Sequence, residues 1–450
     1  MSESKPDCDS FSIINDAPSA DKSGIVECYA GVRENVVAKT GEGSTNSSVP
    51  SDLSTTSRYN EAQGHGSVVA THYNTLEEKG LAERCKSRIF YLRNFNNWIK
   101  SMIINEYLSK TWQGKSHGSP LRVLDMCCGK GGDLLKWRRG NITHLVCADI
   151  AEVSVDQCQA RYNELQNRSK NERGFAPVFT AEFLSADCTK VRLRERYKDP
   201  SMELDLVSCQ FSFHYCFESL PQAETMLLNA AECLRPGGYF IGTIPDAYEI
   251  VKRQQNAGDT FGNEIYKVEF QCDTEPPLPL FGAKYNFHLE GVVDCPEFLV
   301  HFPTLVKLAE KYGLQLVAKE RFDSYYEKVR EEGRSLLGKM QALETYPPFH
   351  EAPLLGRVPE DYEHVQQYMQ KSTGHRKVGT LSESEWKAAS LYLMFAFQKK
   401  KPKWNAEGRP EFEDRNEVAK KRMSDDGNGD NASKRLKSTD LSVGNDGETL

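Results

Sequence analysis

The densest chemistry in the chain lies in one run, Asp125-Met126-Cys127-Cys128-Gly129-Lys130-Gly131-Gly132-Asp133. A short apolar segment, Leu121–Leu124, leads straight into it and a helical pattern follows. Glycines here let backbone N–H groups approach a ligand closely, and the helix N-terminus that comes next favours negative charge. A phosphate-binding P-loop would read G-x-x-x-x-G-K-[ST], and a dinucleotide fingerprint G-x-G-x-x-G; neither spacing is present. Asp125 at the head of the loop repels phosphates and attracts an ammonium group, so the loop suits a nucleoside that bears an amino acid. Asp149 closes the next apolar run about 20 residues on, where a carboxylate can take both ribose hydroxyls. Asp187 follows Phe183-Leu-Ser-Ala186 and could accept from an exocyclic adenine amine. The vicinal pair Cys127–Cys128 has no C-x-x-C partner in sequence, so no metal site is expected.

These residues need a scaffold that places strand ends side by side. Leu121–Leu124, His144–Ala148, Leu204–Cys209 and Tyr239–Thr243 are short apolar runs of the kind covered on both faces. Helical patterns alternate with them over Asp133–Arg139, Val153–Gln166 and Gln222–Leu234, the last ending at Arg235-Pro-Gly-Gly238. Glu297–Tyr312 reads as an amphipathic helix, with Pro296 at its start and Gly313 at its end. Leu314–Lys319 and Ser390–Gln398 read as two late strands. The alternation predicts an α/β fold with a doubly wound, Rossmann-like sheet, and the stretches near 245–290 and 324–385 as insertions.

The chain has 450 residues, net charge −7 and 39% hydrophobic content, with a mean hydropathy of −0.59. That balance predicts solvated tails, residues 1–70 and 400–450, flanking one ordered domain over 71–399. The net charge argues against a broad basic nucleic-acid surface and leaves room for a local basic groove. Thirteen scattered cysteines fit a reducing compartment. No apolar run approaches the roughly 18 residues of a membrane span, and no signal sequence opens the chain, so a soluble intracellular protein with no membrane partner is expected. Lys420-Lys-Arg422 and Lys434-Arg-Leu-Lys437 are similar to a bipartite nuclear import signal, which predicts an import receptor as partner and the nucleus as location.

The run Ser87-Arg-Ile-Phe-Tyr-Leu-Arg-Asn-Phe-Asn-Asn-Trp-Ile-Lys100 resembles the entry helix of eukaryotic mRNA cap guanine-N7 methyltransferases, in their animal form. So do Cys128-Gly-Lys-Gly-Gly-Asp-Leu-Leu-Lys-Trp137, Gln210-Phe-Ser-Phe-His-Tyr215, Phe261-Gly-Asn-Glu-Ile-Tyr266, Leu289-Glu-Gly-Val-Val293 and Tyr392-Leu-Met-Phe-Ala-Phe397. The resemblance spans about residues 71–398. It implies the class I fold of enzymes that use S-adenosylmethionine as cofactor. It also implies that Lys100, Cys127 to Gly129, Asp149, Asp187, Gln210 and Tyr215 hold that cofactor. For the cap it implies Asn96, Asn97, Lys130, Lys136, Arg161, His214, Glu290 and Tyr392. The capped 5′ end of mRNA would be the substrate, and a small activating subunit and the RNA polymerase II machinery would be partners. The insertion over 324–385 is the expected seat of the subunit.

Guanine N7 already carries a free lone pair, so the expected reaction is direct in-line transfer, with positioning residues and no catalytic base. Two rivals remain at this level: a methyltransferase for another substrate, and an RNA-binding scaffold with a weakened cofactor site. The second rests on one departure, because Cys127 stands where the family loop usually has glycine.

Overall fold

The computed structural model describes residues 64–76, 80–171, 178–349, 352–371, 377–404 and 410–411. The chain enters through helix α1 (Gly66–Thr75) and the long helix α2 (Phe90–Gln113). In α2 the apolar residues recur at helical spacing, and Leu92, Phe95, Trp98, Ile99, Met102, Ile103 and Tyr107 are all buried. Trp98 closes its indole N–H on the carbonyl of Gly333, 3.1 Å away, which ties α2 to the second insertion.

A sheet then forms from β1 (Arg122–Met126), β2 (His144–Asp149), β3 (Thr180–Ser185), β4 (Leu204–Gln210) and β5 (Leu234–Pro245). These strands pair in parallel, β1 lying between β2 and β4. Helices α3 (Leu134–Arg139), α4 (Glu152–Asn171) and α5 (Leu220–Ala231) make the crossovers. The late strands β10 (Leu314–Arg321) and β13 (Tyr392–Lys399) complete it, β13 antiparallel to both β5 and β10. Among the described residues the order is β10-β13-β5-β4-β1-β2-β3, seven strands with the order reversing between β1 and β4. The expected doubly wound sheet is therefore present, and its switch point lies where the Cys/Gly loop leaves β1.

The two insertions are built units. After helix α6 (Ala247–Ala257), strands β6 (Thr260–Gly262), β7 (Tyr266–Phe270), β8 (Lys284–Leu289) and β9 (Val293–Phe298) make an antiparallel sheet. The helix expected over 297–312 is corrected here. Residues 293–298 are an edge strand, where Pro296 is tolerated, and the helix α7 runs only over Phe302–Lys311. The second insertion holds α8 (Phe322–Val329), α9 (Arg334–Lys339), the paired strands β11 (Glu344–Tyr346) and β12 (Val378–Thr380), α10 (Glu363–Lys371) and α11 (Glu383–Ala389). A capping box between Ser382 and Glu385 starts α11.

The expected domain start at 71 cuts through α1, which begins at Gly66. As a separate unit beyond Lys401, β14 (Lys403–Trp404) pairs with β15 (Pro410–Glu411), strand structure within the expected tail. Both basic clusters of the import motif lie outside the described residues.

Candidate active site

The loop after β1 is shaped by backbone in the left-handed region. Cys127, Gly129 and Gly131 have φ of 57°, 51° and 75°. Cys127 occupies a left-handed conformation in which a side chain costs about 1 kcal/mol. Its thiol is drawn down by Cys188, but Cys209 and burial outweigh that and hold it protonated, well above the usual range. The loop is clasped to the next strand. Asp149 accepts from the Gly129 amide at 2.8 Å and from the Ala151 amide at 2.9 Å, while the Cys128 amide donates to the Ala148 carbonyl. Burial raises the Asp149 carboxyl, against the pull of those two amides. One residue thus shapes the loop and keeps lone pairs for diol hydroxyls.

Behind the loop sits a compact charge cluster. Lys100 of α2 meets Asp133 at 3.0 Å and Lys136 of α3 meets it at 2.6 Å. Lys136 also donates to Asn97 Oδ1. Burial opposes ionisation of Asp133, but the two ammonium groups prevail and hold its carboxyl far below the usual range. Asp125 shows the reverse balance: burial, then the neighbouring Asp133 charge, push it up, although the Trp137 indole donates to it at 3.0 Å. Asp125 is therefore engaged in the core beneath the loop, where sequence reading had it meeting the ligand's ammonium. Asp133, the partner that organises Lys100, Lys136 and Asn97, was not singled out from sequence.

Helix α1 covers this end of the site. A side chain added at Gly66 would come within 3.4 Å of Asp187 and 3.3 Å of Ile150. Asn74 caps the Val153 amide at the start of α4, and the Leu76 carbonyl accepts from Lys130 at 2.9 Å. The hydroxyl of the half-buried Tyr73 lies 3.5 Å from that of Tyr215. Asp187 accepts from the amide and hydroxyl of Thr189 through one oxygen, and its other oxygen is 3.4 Å from Lys190. Gln210, at the end of β4, is oriented by Ser208 and Thr243. Five of the expected cofactor positions, Cys127, Gly129, Asp149, Asp187 and Gln210, thus stand at or just beyond the C-terminal ends of β1, β2, β3 and β4. Lys100 and Tyr215 are reached through Asp133 and Tyr73. Tyr73 carries no local signal in the sequence, because its partner Tyr215 lies 142 residues away.

The acceptor end is built from parts far apart in the chain. A 3₁₀ turn over Phe213–Glu218 presents His214, which is 2% exposed. Its Nε2 is 3.2 Å from Oε1 of Glu297, yet neither ring nitrogen makes a directed hydrogen bond within the protein. The other oxygen of Glu297 accepts from Tyr285 at 2.7 Å. Glu297 and Tyr285 face each other across the β8–β9 register. Glu290, the acceptor expected from sequence, is exposed in the turn between those strands. The carboxylate buried at the site is Glu297, and the signal was present in the alternation Tyr285-x-Phe287-x-Leu289 and Cys295-x-Glu297. The Tyr215 ring lies tilted against that of His214, ring centroids 4.4 Å apart, and Tyr392 packs on Phe211 and Phe322. Asn96 keeps its Oδ1 buried with no protein donor.

The three expected phosphate cations all have internal engagements. Lys136 is committed to Asp133 and Asn97, Lys130 to Leu76, and Arg161 donates to the Lys130 carbonyl at 2.9 Å. Folding supplies Cys128 with two partners, Cys147 and Cys158, whose sulfurs and its own lie within 4.8 Å of one another.

Comparison with known proteins agrees with this geometry. The model of the mRNA (guanine-N(7))-methyltransferase domain matches residues 56–400. The chain is 59% identical over 349 residues to the mRNA cap guanine-N(7) methyltransferase of Drosophila melanogaster, covering 77% of this chain and 80% of that one. To the enzyme of the same name from Caenorhabditis elegans it is 41% identical over 344 residues, 74% and 87% of the two chains. To that from Schizosaccharomyces pombe it is 36% identical over 354 residues, 76% and 85%. With the family model covering most of the chain and the strand-end site in place, this chain belongs to the mRNA (guanine-N(7))-methyltransferase family.

Proposed function

We propose that this chain transfers the methyl group of S-adenosylmethionine to N7 of the guanosine that caps the 5′ end of mRNA. Beside the family match, the observation that carries the reading is the buried pair His214–Glu297, reached along residues 210–215 from the clasped loop of Gly129 and Asp149. The residues present fit an amino-acid-bearing nucleoside. Asp149 offers a fixed carboxylate for a ribose diol, Asp187 an acceptor near the next strand end, and Lys100 a cation beside the loop.

S-adenosylmethionine, when bound, supplies a methyl group already activated as a sulfonium. Guanine offers N1–H and N2–H donors that one carboxylate accepts together, which suits Glu297 and rejects adenine by leaving that carboxylate unpaired. Tyr285 holds the carboxylate from behind. His214, with both ring nitrogens lacking directed protein partners, is placed to orient the base. Tyr73 on α1 shields the Tyr215 side from water. N7 needs no deprotonation, so the chain's contribution is alignment, dryness and a field that tolerates charge on the methylated base. No side chain is assigned as a catalytic base.

Incubating the full chain with guanosine-capped RNA and methyl-labelled cofactor, then digesting with nuclease, should release the label in 7-methylguanosine. Adenosine-capped RNA should remain unlabelled. Label on a ribose, or equal labelling of both RNAs, would overturn the assignment. The scaffold reading draws on the left-handed Cys127, but about 1 kcal/mol is only a fivefold effect, too little to empty a cofactor site.

Nuclear residence, through an import receptor acting on Lys420–Arg422 and Lys434–Lys437, belongs to the same proposal and is supported by those residues alone. A reporter carrying residues 410–450 should concentrate in the nucleus; uniform distribution would sink it. A small activating subunit seated on the 324–385 insertion, and contact with the RNA polymerase II machinery, rest on family analogy. Deleting the insertion's surface charges should then abolish any activation by such a subunit.

A further inference from the structure

Cys128, Cys147 and Cys158 come from three different elements, the loop after β1, strand β2 and helix α4. Their sulfurs all lie within 4.8 Å of one another. Cys147 and Cys158 are fully buried, whereas Cys128 is half-buried and opens the group toward the loop. Among the described residues no imidazole or carboxylate joins them. Soft thiolate sulfurs select soft ions, and closed zinc sites take four protein ligands, so three sulfurs alone suit an ion content with three-coordination. A metal–sulfur bond of about 2.3 Å sets the sulfurs of a trigonal site roughly 4 Å apart, within the 4.8 Å that encloses these three.

We propose that Cys128, Cys147 and Cys158 form a site for a soft monovalent cation, copper(I), and that filling it opposes cofactor binding. Copper–sulfur bonds form as thiol protons leave to solvent, and no electron changes hands. The antagonism follows from how the loop is seated. The Cys128 amide is tied to Ala148 and the next amide, of Gly129, to Asp149. A Cβ on Gly131 would lie 2.7 Å from the Cys158 sulfur, so the loop rests directly on that thiol. An ion seated among three sulfurs from the loop, β2 and α4 fixes the Cys128 end of the loop to those two elements, at the place where the loop has to adjust to a ligand. This second half rests on the reading of the loop as the cofactor loop; copper uptake does not.

The test uses the full chain, reduced and kept anaerobic, with copper(I) delivered from its bicinchoninate complex. The wild type should withdraw one equivalent and develop a sulfur-to-copper charge-transfer band. Its affinity for S-adenosylhomocysteine, read by calorimetry, should then fall at least about tenfold, the size of an ordinary coupling between sites. Cys147→Ala and Cys158→Ala should lose that equivalent, and copper should leave each variant's own S-adenosylhomocysteine affinity unchanged. Cys85→Ala, which removes an exposed thiol elsewhere, should behave as wild type. If a buried variant fails to melt cooperatively, Cys128→Ser carries the same measurement. Failure of the wild type to take up copper, or uptake that persists in the Cys147 and Cys158 variants, overturns the site. Uptake that leaves wild-type S-adenosylhomocysteine affinity unchanged overturns the antagonism. Absence of S-adenosylhomocysteine binding before copper is added overturns the cofactor reading instead, and the stoichiometry still decides the site.

Discussion

The two ends of the site are held by different means. At the cofactor end the loop after β1 is held to β2 by backbone amides and the Asp149 carboxylate that accepts from them, with Lys100 and Lys136 closing on Asp133. At the acceptor end the groups are side chains, His214, Glu297 and Tyr285, brought from a 3₁₀ turn and an inserted sheet. The first end is rigid because its geometry is written into local chain conformation. The second is specific because a buried carboxylate must be matched by donors or left unpaired. Such a division lets one end serve a common cofactor while the other sets the acceptor.

The largest way to disturb this comparison is to remove the charge that organises the cofactor end. Asp133→Asn leaves two ammonium groups near each other without their carboxylate, and should cost roughly 3–5 kcal/mol of stability at neutral pH by chemical denaturation. Because the folded Asp133 carboxyl is lowered, its contribution is present above about pH 4 and is lost as pH falls further, so the variant and wild type should converge in acid.

The next test separates the ends. Glu297→Gln should lower kcat/KM for capped RNA by about 30- to 150-fold, or 2–3 kcal/mol, while S-adenosylhomocysteine binding measured by calorimetry changes little. Asp149→Asn should invert that pattern, weakening the nucleoside and sparing cap-analogue affinity. If both variants lose both ligands equally, the two ends are one cooperative unit.

A smaller effect is expected from Asp125. Its folded carboxyl is raised, so the folded state holds a proton more tightly than the unfolded chain. Its contribution is therefore present below about pH 4 and declines as pH rises through the folded value. Asp125→Asn should flatten the fall in Tm between pH 5 and 8; an unchanged slope would place the titration elsewhere. Smallest of all is Cys127→Gly. Relief of the left-handed side chain is offset by glycine's greater freedom in the unfolded chain, so the melting shift should correspond to less than about 1 kcal/mol. Cofactor affinity should rise by no more than a few-fold in calorimetry. A large gain would revive the weakened-site reading.

Much of the cofactor end was legible in sequence because its signals are local. Glycine spacing, an acidic residue where each apolar run ends, and the alternation of strands and helices all lie within a few residues of the atoms they position. The doubly wound class of the sheet followed from the same pattern. The misreadings have physical causes of their own. Pro296-Glu297 looks like a helix start, since proline is favoured there, but an edge strand tolerates it equally. Exposed Glu290 and buried Glu297 carry the same side chain, and only the pairing of β8 with β9 turns one of them toward His214.

What the amino-acid order decided alone is the doubly wound frame, the loop after β1 and the residues Asp149 and Asp187 at the strand ends, because each depends on short-range conformation and periodicity. What only the tertiary structure decided is partnership across distance. Helix α1 is brought over Asp187 and Tyr215, Asp133 gathers two lysines from separate helices, and Glu297 reaches His214 from 83 residues away. It also gave Cys128 two sulfur neighbours that no spacing rule foretells, since ligand sets close in space and the chain counts only along its length.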